Sequence, residues 1–296
     1  MLGGTGVAGR ATLRHLREHD VSVPVRNPAG QQVVAGAGAT PLDGDQDDPA
    51  QLRRWLDGVD AAIDLRVRIP APSRAVLPGA WREYIWLRDT AAGRLVDAAI
   101  DVGTPRLVHD TVTMVYADGG DAWLDEDAPV SAPMFLAANL ACEAHVARLT
   151  AAGGTGVALR FAQFYGPDDA MSRAVVGAAR RGLWLQPARR QAWTSAVHTE
   201  DVGAAVALAA TTDGLPGGVY NVADDEPLRT ADLLTVLGSA AGRTVRTPLP
   251  GRLLPAGLSR SNRVRSDRFR AATGWRPSVP SRREGWPAVV AAALPA

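Results

Sequence analysis

The opening segment MLGGTGVAGR constrains this chain more than any other. Gly3, Gly6 and Gly9 recur at every third position, directly behind an apolar pair and directly before a helical pattern. Each glycine has a mechanical use in such a place. One permits a tight turn, one lets the backbone approach a diphosphate, and one lets helix and strand pack closely. The helix start adds unpaired N–H groups and the positive end of its dipole. With Thr5 and Val7 between the glycines, the loop reads as a dinucleotide cradle. Only Met1 and Leu2 precede Gly3, whereas a buried strand normally takes about five residues. The first strand is therefore either trimmed or continued upstream of Met1.

Behind the loop, apolar runs alternate with helical patterns. Residues 21–25, 60–65, 106–109 and 157–161 read as strands, and 9–18, 50–56, 81–102 and 135–151 as helices. This predicts an α/β fold, a Rossmann-like doubly wound parallel sheet. Beyond Pro167 the pattern loosens. A helix over 171–182 is followed by an irregular stretch at 184–195 and a helix over 198–210. A strand and turn at 217–228 lead to a helix start at Thr230, and a Pro- and Arg-rich tail from Pro248 ends in a helix near 280–293. The expected division is a dinucleotide-binding domain of 1–166 plus 197–223 and a smaller C-terminal substrate lobe of 167–196 plus 224–296. Ligands of such sheets lie beyond the carboxyl ends of the strands, so the expected site is a cleft between the two parts, shaped by loops 69–80 and 171–190.

Composition removes several chemistries. Cys142 is the only cysteine, which excludes an internal disulfide and a multi-cysteine zinc site, and no metal is expected. The net charge of +1 points to neither nucleic acid nor an anionic membrane. No apolar run approaches the roughly 20 residues of a membrane span, and no signal peptide is visible, so a soluble cytoplasmic protein is expected. All 32 basic residues are arginine; there is no lysine. Arginine codons of a GC-rich genome account for this, but the chemical consequence stands: no side-chain amine can act as a base or form a Schiff base.

After the strand at 21–25, proteins selective for NAD usually place an acid on the ribose 2′-hydroxyl. Here the position holds Arg26, followed by Asn27 and Pro28. A guanidinium suits a 2′-phosphate, so NADP is expected before NAD.

Several segments occur together in a fixed order: GGTGVAG, GDQDD (44–48), DTVTMVYADGG (110–120), LRFAQFYGP (159–167), VHTEDVGAAV (197–206) and YNVADDEPL (220–228). Together they resemble the extended short-chain dehydrogenase/reductase family of the NAD-dependent epimerase/dehydratase type, over nearly the whole chain. The run VYADGGDAWLDED further resembles an actinobacterial branch of atypical members. The resemblance implies Asp45 near the adenine, Leu65 and the next residue beside the cofactor, and Tyr165-Gly166-Pro167 at the passage between lobes. It also implies pairing into a homodimer through helices such as 81–102 and 135–151.

In catalytic members a Tyr-x-x-x-Lys pair shares one helix face. The lysine lowers the tyrosine's pKa and holds the nicotinamide ribose, and the tyrosine moves the proton that accompanies hydride transfer. The matching positions here are Phe135 and Asn139; Asn139 could still hydrogen-bond a ribose. The position of the helper Ser or Thr holds Val112, between Thr111 and Thr113. Arg66 stands where the family keeps a small residue. It would grip a phosphate, fill cofactor space or sit solvated in a loop.

Among the remaining polar groups, Asp110, Thr111 and Tyr116 follow the strand at 106–109. The helix WREYIWLRD aligns Trp81, Tyr84, Ile85 and Arg88 in a stripe that reads as core or dimer contact. His109 and His145 read as structural, and His198 and Asp201 as packing and capping residues. The basic run 259–270 reads as a solvated helix face before it reads as a phosphate site. The leading functional expectation is an NADP-binding oxidoreductase or epimerase-like enzyme for a small metabolite, with Thr111, Tyr116 or a water replacing the missing acid. The alternatives are a non-redox isomerase, lyase or cyclase on the same scaffold, and a non-catalytic NADP sensor in which the cofactor site is vestigial.

Overall fold

The strand expected ahead of the glycine loop amounts to a single parallel bridge. Leu2 N donates to the Ile63 carbonyl at 2.7 Å, and Leu65 N to the Leu2 carbonyl at 3.1 Å, so Leu2 lies opposite Asp64. The computed structural model describes residues 1–70, 74, 77, 79–184, 189–246 and 260–293. Parts of the loops 69–80 and 171–190, and the tail from Pro248 to Ser259, lie outside the described residues.

The elements in chain order are α1 (Val7–His15), β1 (Ser22–Pro24), α2 (Pro28–Gly36), β2 (Thr40–Leu42), α3 (Pro49–Leu56), β3 (Ala62–Asp64), α4 (Arg82–Trp86), α5 (Ala92–Val102), β4 (Arg106–Val112), α6 (Ala137–Ala151) and β5 (Thr155–Phe161). They continue as β6 (Gln163–Tyr165), α7 (Ala170–Ala179), β7 (Trp193–Thr194), β8 (Ala196–His198), α8 (Thr199–Thr211), β9 (Gly218–Val222), β10 (Leu228–Arg229), α9 (Thr230–Ala241), α10 (Asp267–Thr273) and α11 (Arg282–Ala292). The helix expected over 81–102 is α4 and α5 joined by one π-helical turn, Leu87–Ala91. His198 closes a strand instead of opening a helix, and the stretch expected to be irregular contains β7.

The chain forms two compact units. The first comprises Met1–Val115, Ala132–Arg160 and Gly203–Tyr220; the second comprises Tyr116–Ser131, Phe161–Val202 and Asn221–Ala296. In the first, β3, β4, β5 and β9 lie side by side in that order, β3 and β4 are parallel, and β1 pairs with β2 in parallel. One apolar cluster joins Leu52 and Leu56 of α3, Leu95 and Val96 of α5 and Val146 and Leu149 of α6 to Leu107 and Ala158 of the sheet. A separate cluster joins Leu13 of α1 and Val34 of α2 to Val23 and Val25. Apolar burial under helices in two places is what a doubly wound sheet requires. At about 1.5–3 kcal/mol for each fully buried Leu or Val, it outweighs helix propensity. The α8 and α1 helices cross closely: a Cβ on Gly203 would lie 2.4 Å from the Ala11 backbone.

The second unit has β6 parallel to β8 and β7 antiparallel to β10. Its core joins Val175 and Val176 of α7, Leu233 and Leu237 of α9, and Trp286 and Val289 of α11 around Tyr165 and Trp184. Among the described residues of the basic run 259–270 only the part in α10 is helical; Arg265 and Arg268 are exposed, as expected, and each is also paired with an acid. Arg265 pairs with Asp125 at 2.7 Å, Arg268 with Asp127 at 2.7 Å, and Arg270 with Asp225. Arg263 stacks over Trp123 and Trp193, at 4.2 and 4.3 Å from the ring centres. The acidic run DAWLDED thus lines up with the basic one. Among the described residues no helix is long and apolar enough to cross a membrane, and no cluster of His, Cys, Asp and Glu could hold a metal ion.

Candidate active site

The glycine loop has the form its sequence predicts. Gly3 takes φ +78°, and a Cβ there would lie 2.7 Å from the carbonyl carbon of Leu65. A Cβ on Gly9 would lie 2.3 Å from the Gly3 oxygen and 2.6 Å from the Gly4 Cα. These two glycines are required by the protein's own packing. Gly6 differs, since a Cβ there would meet nothing nearer than the Gly3 oxygen at 3.3 Å. Gly6 caps α1 without a side-chain cap, and no acid lies in the first turn of that helix. The amides and dipole of α1 are therefore left for an anion that approaches over Gly6, and the cradle fits a dinucleotide diphosphate. Thr5 is exposed and its carbonyl accepts from Arg10 NH1 at 2.7 Å; Val7 is half-buried. Leu65 is buried where the chain leaves β3.

Arg26 is exposed just after β1, and Asn27 beside it caps α2 by accepting from Gly30 N at 2.8 Å. Asp45 is exposed in the turn after β2, where its carboxylate accepts from Asp47 N at 2.9 Å.

Arg66 is not a solvated loop arginine; it is 8% exposed. Its Nε and NH2 donate to the two oxygens of Asp64 at 2.9 and 2.8 Å, and NH1 donates to the Gln46 carbonyl and to Asp47, each at 3.2 Å. The side chain ties the end of β3 to the turn that holds Asp45. Burial alone would raise the Asp64 carboxyl, but the Arg66 charge, His109 and the Arg66 N–H groups hold it well below the usual carboxylate range.

The two positions that the resemblance assigns to a catalytic pair, Phe135 and Asn139, are occupied by packing side chains. The Phe135 ring stacks flat on Trp81, with centroids 3.4 Å apart, and Tyr84 meets both edge-on at 5.6 and 5.5 Å. Asn139 is fully buried. Its Nδ2 donates to the Tyr84 oxygen at 2.9 Å and to the Leu136 carbonyl at 3.1 Å. One turn along from Tyr84, Arg88 forms a two-pronged pair with Asp110, at 2.9 and 2.8 Å, and its guanidinium lies 5.6 Å from the Tyr84 ring centre. Arg88 sits in the π-helical turn, a local irregularity that often accompanies functional sites. His109 Nδ1 lies 3.0 Å from the Asp110 carbonyl, Nε2 lies 3.5 Å from Asp64, and burial pushes this imidazole below its ordinary pKa. Asp64, His109, Arg88 and Asp110 thus form one buried charged row under Tyr84 and Asn139.

The two expected replacement acids are committed elsewhere. The Thr111 hydroxyl is fully buried and donates to Glu143 at 3.0 Å, beside the Glu143–Arg160 pair at 2.7 Å. Tyr116, in the second unit, donates to Asn221 at 2.8 Å. Val112 is half-buried and offers no hydroxyl. His145 contacts Asp89 at 3.1 Å; His198 accepts from Glu200 N at 3.3 Å; Asp201 accepts from Ser278 and Val279 N–H groups, so the last two act in packing and capping. Tyr84 and Arg88 of the stripe are buried, Trp81 is half-buried and Ile85 is exposed. The placement of Tyr84 against Asn139 was not foreseen. The available signal was the spacing Tyr84-x-x-x-Arg88, which repeats the family's Tyr-x-x-x-Lys spacing on the neighbouring helix with arginine in the place of lysine.

Comparisons agree on the setting. The model of the NAD dependent epimerase/dehydratase family matches residues 1–223. A 3-diazoavenalumate denitrifying reductase from Streptomyces sp is 32% identical, over 96% of this chain and 97% of that protein. Among solved structures, MoeE5 in complex with UDP-glucuronic acid and NAD superposes with a TM-score of 0.81 at 20% identity, covering 98% of this chain and 97% of that one. The UDP-glucose 4-epimerase of Thermus thermophilus, complexed with NAD, does so with 0.77 at 21% identity, covering 99% and 97%.

Proposed function

The chain belongs to the NAD-dependent epimerase/dehydratase family, and from that premise we propose that it is a nicotinamide-dependent reductase whose hydride acceptor is the diazo-bearing carbon of a small aromatic molecule, not a carbonyl. The observation that carries this reading is the replacement of the tyrosine–lysine pair by Phe135 and Asn139, locked against Trp81 and Tyr84. A ketone that accepts hydride becomes an alkoxide and needs a proton from a well-placed acid. A diazonium needs none. The hydride pair forms the new C–H bond, the C–N pair departs with dinitrogen, and no oxyanion arises. The 32% identical relative, named as a denitrifying reductase, supports this choice of acceptor.

A reduced nicotinamide, when bound, supplies the hydride. The chain's own residues hold and shield it. Gly3, Thr5, Gly6, Val7 and Gly9 would cradle the diphosphate on the amides of α1. Leu65 and the Arg66 backbone would border the cofactor, and Asp45 would face the adenine. The Arg66 side chain, spent on Asp64 and Asp47, braces this wall instead of gripping phosphate. Asn139 is fully buried with its amide spent on Tyr84 and the Leu136 carbonyl, so it would brace this wall instead of reaching the nicotinamide ribose. Thr111 and Tyr116 serve the fold through Glu143 and Asn221.

The assay is direct. Mixed with NADPH and an aryl diazonium acid, the protein is expected to consume NADPH, release dinitrogen and place deuterium from deuterated NADPH on the ring carbon. Turnover of a ketone panel with none of the diazo compound would overturn the reading.

Arg26 is expected to select NADP. It is exposed, and no carboxylate among the described residues pairs with it. Arg26→Ala should weaken NADPH binding about 10- to 100-fold, the contribution of a charge-assisted phosphate contact, and leave NADH binding unchanged. Titration by nicotinamide fluorescence reads both; equal losses for the two cofactors would refute this role.

A further inference from the structure

The turn that follows β2 carries Asp45, yet it has little apolar material to hold its shape. Residues 43–45 are exposed and 46–48 are half-buried. Polar ties do the holding. Asp45 N donates to Gln51 Oε1 at 3.1 Å, and Asp47 N to the Asp45 carboxylate at 2.9 Å. Both ties stay local to the turn and α3. Gln46 Nε2 reaches the Pro24 carbonyl of β1 at 2.9 Å, and Arg94 NH1, on an exposed side chain, reaches the Asp47 carbonyl at 3.3 Å. Arg66 adds the tie to the end of β3, through NH1 to the Gln46 carbonyl and to Asp47. This tie differs from the others in its footing. Nε and NH2 of the same guanidinium are fixed on both oxygens of Asp64, which is 1% exposed. A planar guanidinium with two of its nitrogens fixed cannot swivel, so the third holds the turn in one place.

The Arg66 backbone meets the glycine loop. A Cβ on Gly3 would lie 2.7 Å from the Leu65 carbonyl carbon and 2.9 Å from Arg66 N, so the loop rests on the Leu65–Arg66 peptide. One residue therefore touches the diphosphate cradle with its main chain and the turn of Asp45 with its side chain, all within the first unit. A small side chain, which the resemblance sets at this position, could reach no part of the turn. We propose that Arg66 is a positioning residue for the adenine half of the dinucleotide: its guanidinium presets the spacing between the cradle and the Asp45 turn without gripping the cofactor. A preset site loses less ordering entropy on binding, and the saving appears as affinity. The inference rests on the cofactor part of the reading above and is independent of the hydride acceptor.

The test removes the tie without stranding a buried charge. Arg66→Met alone would leave Asp64 unpaired and endanger the fold. It is therefore combined with Asp64→Asn, which keeps an acceptor for the backbone N–H of residue 66. Three probes are titrated into wild-type and variant protein: NADPH, 2′,5′-ADP as the adenine half, and reduced nicotinamide mononucleotide as the other half. Nicotinamide fluorescence follows the first and third, and calorimetry the second. NADPH and 2′,5′-ADP are expected to weaken by one shared factor, about 10- to 100-fold, while the mononucleotide changes by less than about 2-fold. Asp47→Ala leaves the buried pair intact and removes only the outer acceptor, so it should weaken 2′,5′-ADP about 3- to 10-fold. A general loosening of the first unit would weaken both halves alike, and that result overturns the proposal. So does an unchanged or tighter 2′,5′-ADP, the tighter case showing that Arg66 takes up cofactor space. Wild-type protein that binds none of the probes refutes the cofactor assignment and this inference with it. Wild-type binding that neither variant alters refutes the inference alone.

Discussion

Gly9→Ala is expected to abolish nicotinamide-dinucleotide binding and to destabilise the first unit by about 1–3 kcal/mol, the usual cost of overpacking. The added methyl would lie 2.3 Å from the Gly3 oxygen and 2.6 Å from the Gly4 Cα. Both obstacles are backbone, so no side chain can swing aside. The loop must open, and the α1 amides then lose their aim at the diphosphate. Gly6→Ala separates the two effects. Its methyl meets only the Gly3 oxygen, at 3.3 Å, so stability should change by less than about 0.5 kcal/mol, as for most surface substitutions, while the path of the phosphate is blocked. Thermal melts paired with NADPH titrations distinguish the variants. NADPH binding by Gly9→Ala at the parental affinity would show that the cofactor does not use this loop.

Arg88→Met should be the most damaging single change in the charged row, at about 3–5 kcal/mol. Arg88 is 1% exposed and satisfies both oxygens of the buried Asp110. Its removal strands that carboxylate in a low-dielectric interior under Tyr84. Removing both charges is a different matter, because well-packed apolar replacements of a buried pair are often neutral. Arg88→Met with Asp110→Leu should therefore recover most of the loss. Urea unfolding of the two single variants and the double variant measures the coupling; losses that simply add would mean that the pair is not the source of the effect.

The fold was largely legible because its signals are local. Gly3, Gly6 and Gly9 announce strand, turn and helix within nine residues, and the apolar strands β4 and β5 stand out between polar loops. The α2 helix and β2 strand were missed. Their cues are an Asn27 cap, a proline in the first turn and one fully buried helix residue, Val34, too little apolar periodicity to register. The basic run in the second unit is exposed as expected at Arg265 and Arg268, but its ion pairs were not legible. Whether an exposed arginine is paired depends on what lies opposite, and the acids opposite Arg265 and Arg268 are about 140 residues away in the chain.

The sequence alone determined what this protein lacks and how its cofactor loop is built. No lysine exists to fill the Asn139 position, and Phe135 has no proton to give. Residue identity settles such points, because a missing functional group is missing in every conformation. The tertiary structure decided which polar groups are spent and which remain available. Arg66 and Arg88 are neutralised by Asp64 and Asp110, the Thr111 hydroxyl is spent on Glu143, and Arg26 is left without a carboxylate partner among the described residues. Burial sets the cost of a charge and long-range contacts set its compensation, and neither is written in the order of the residues.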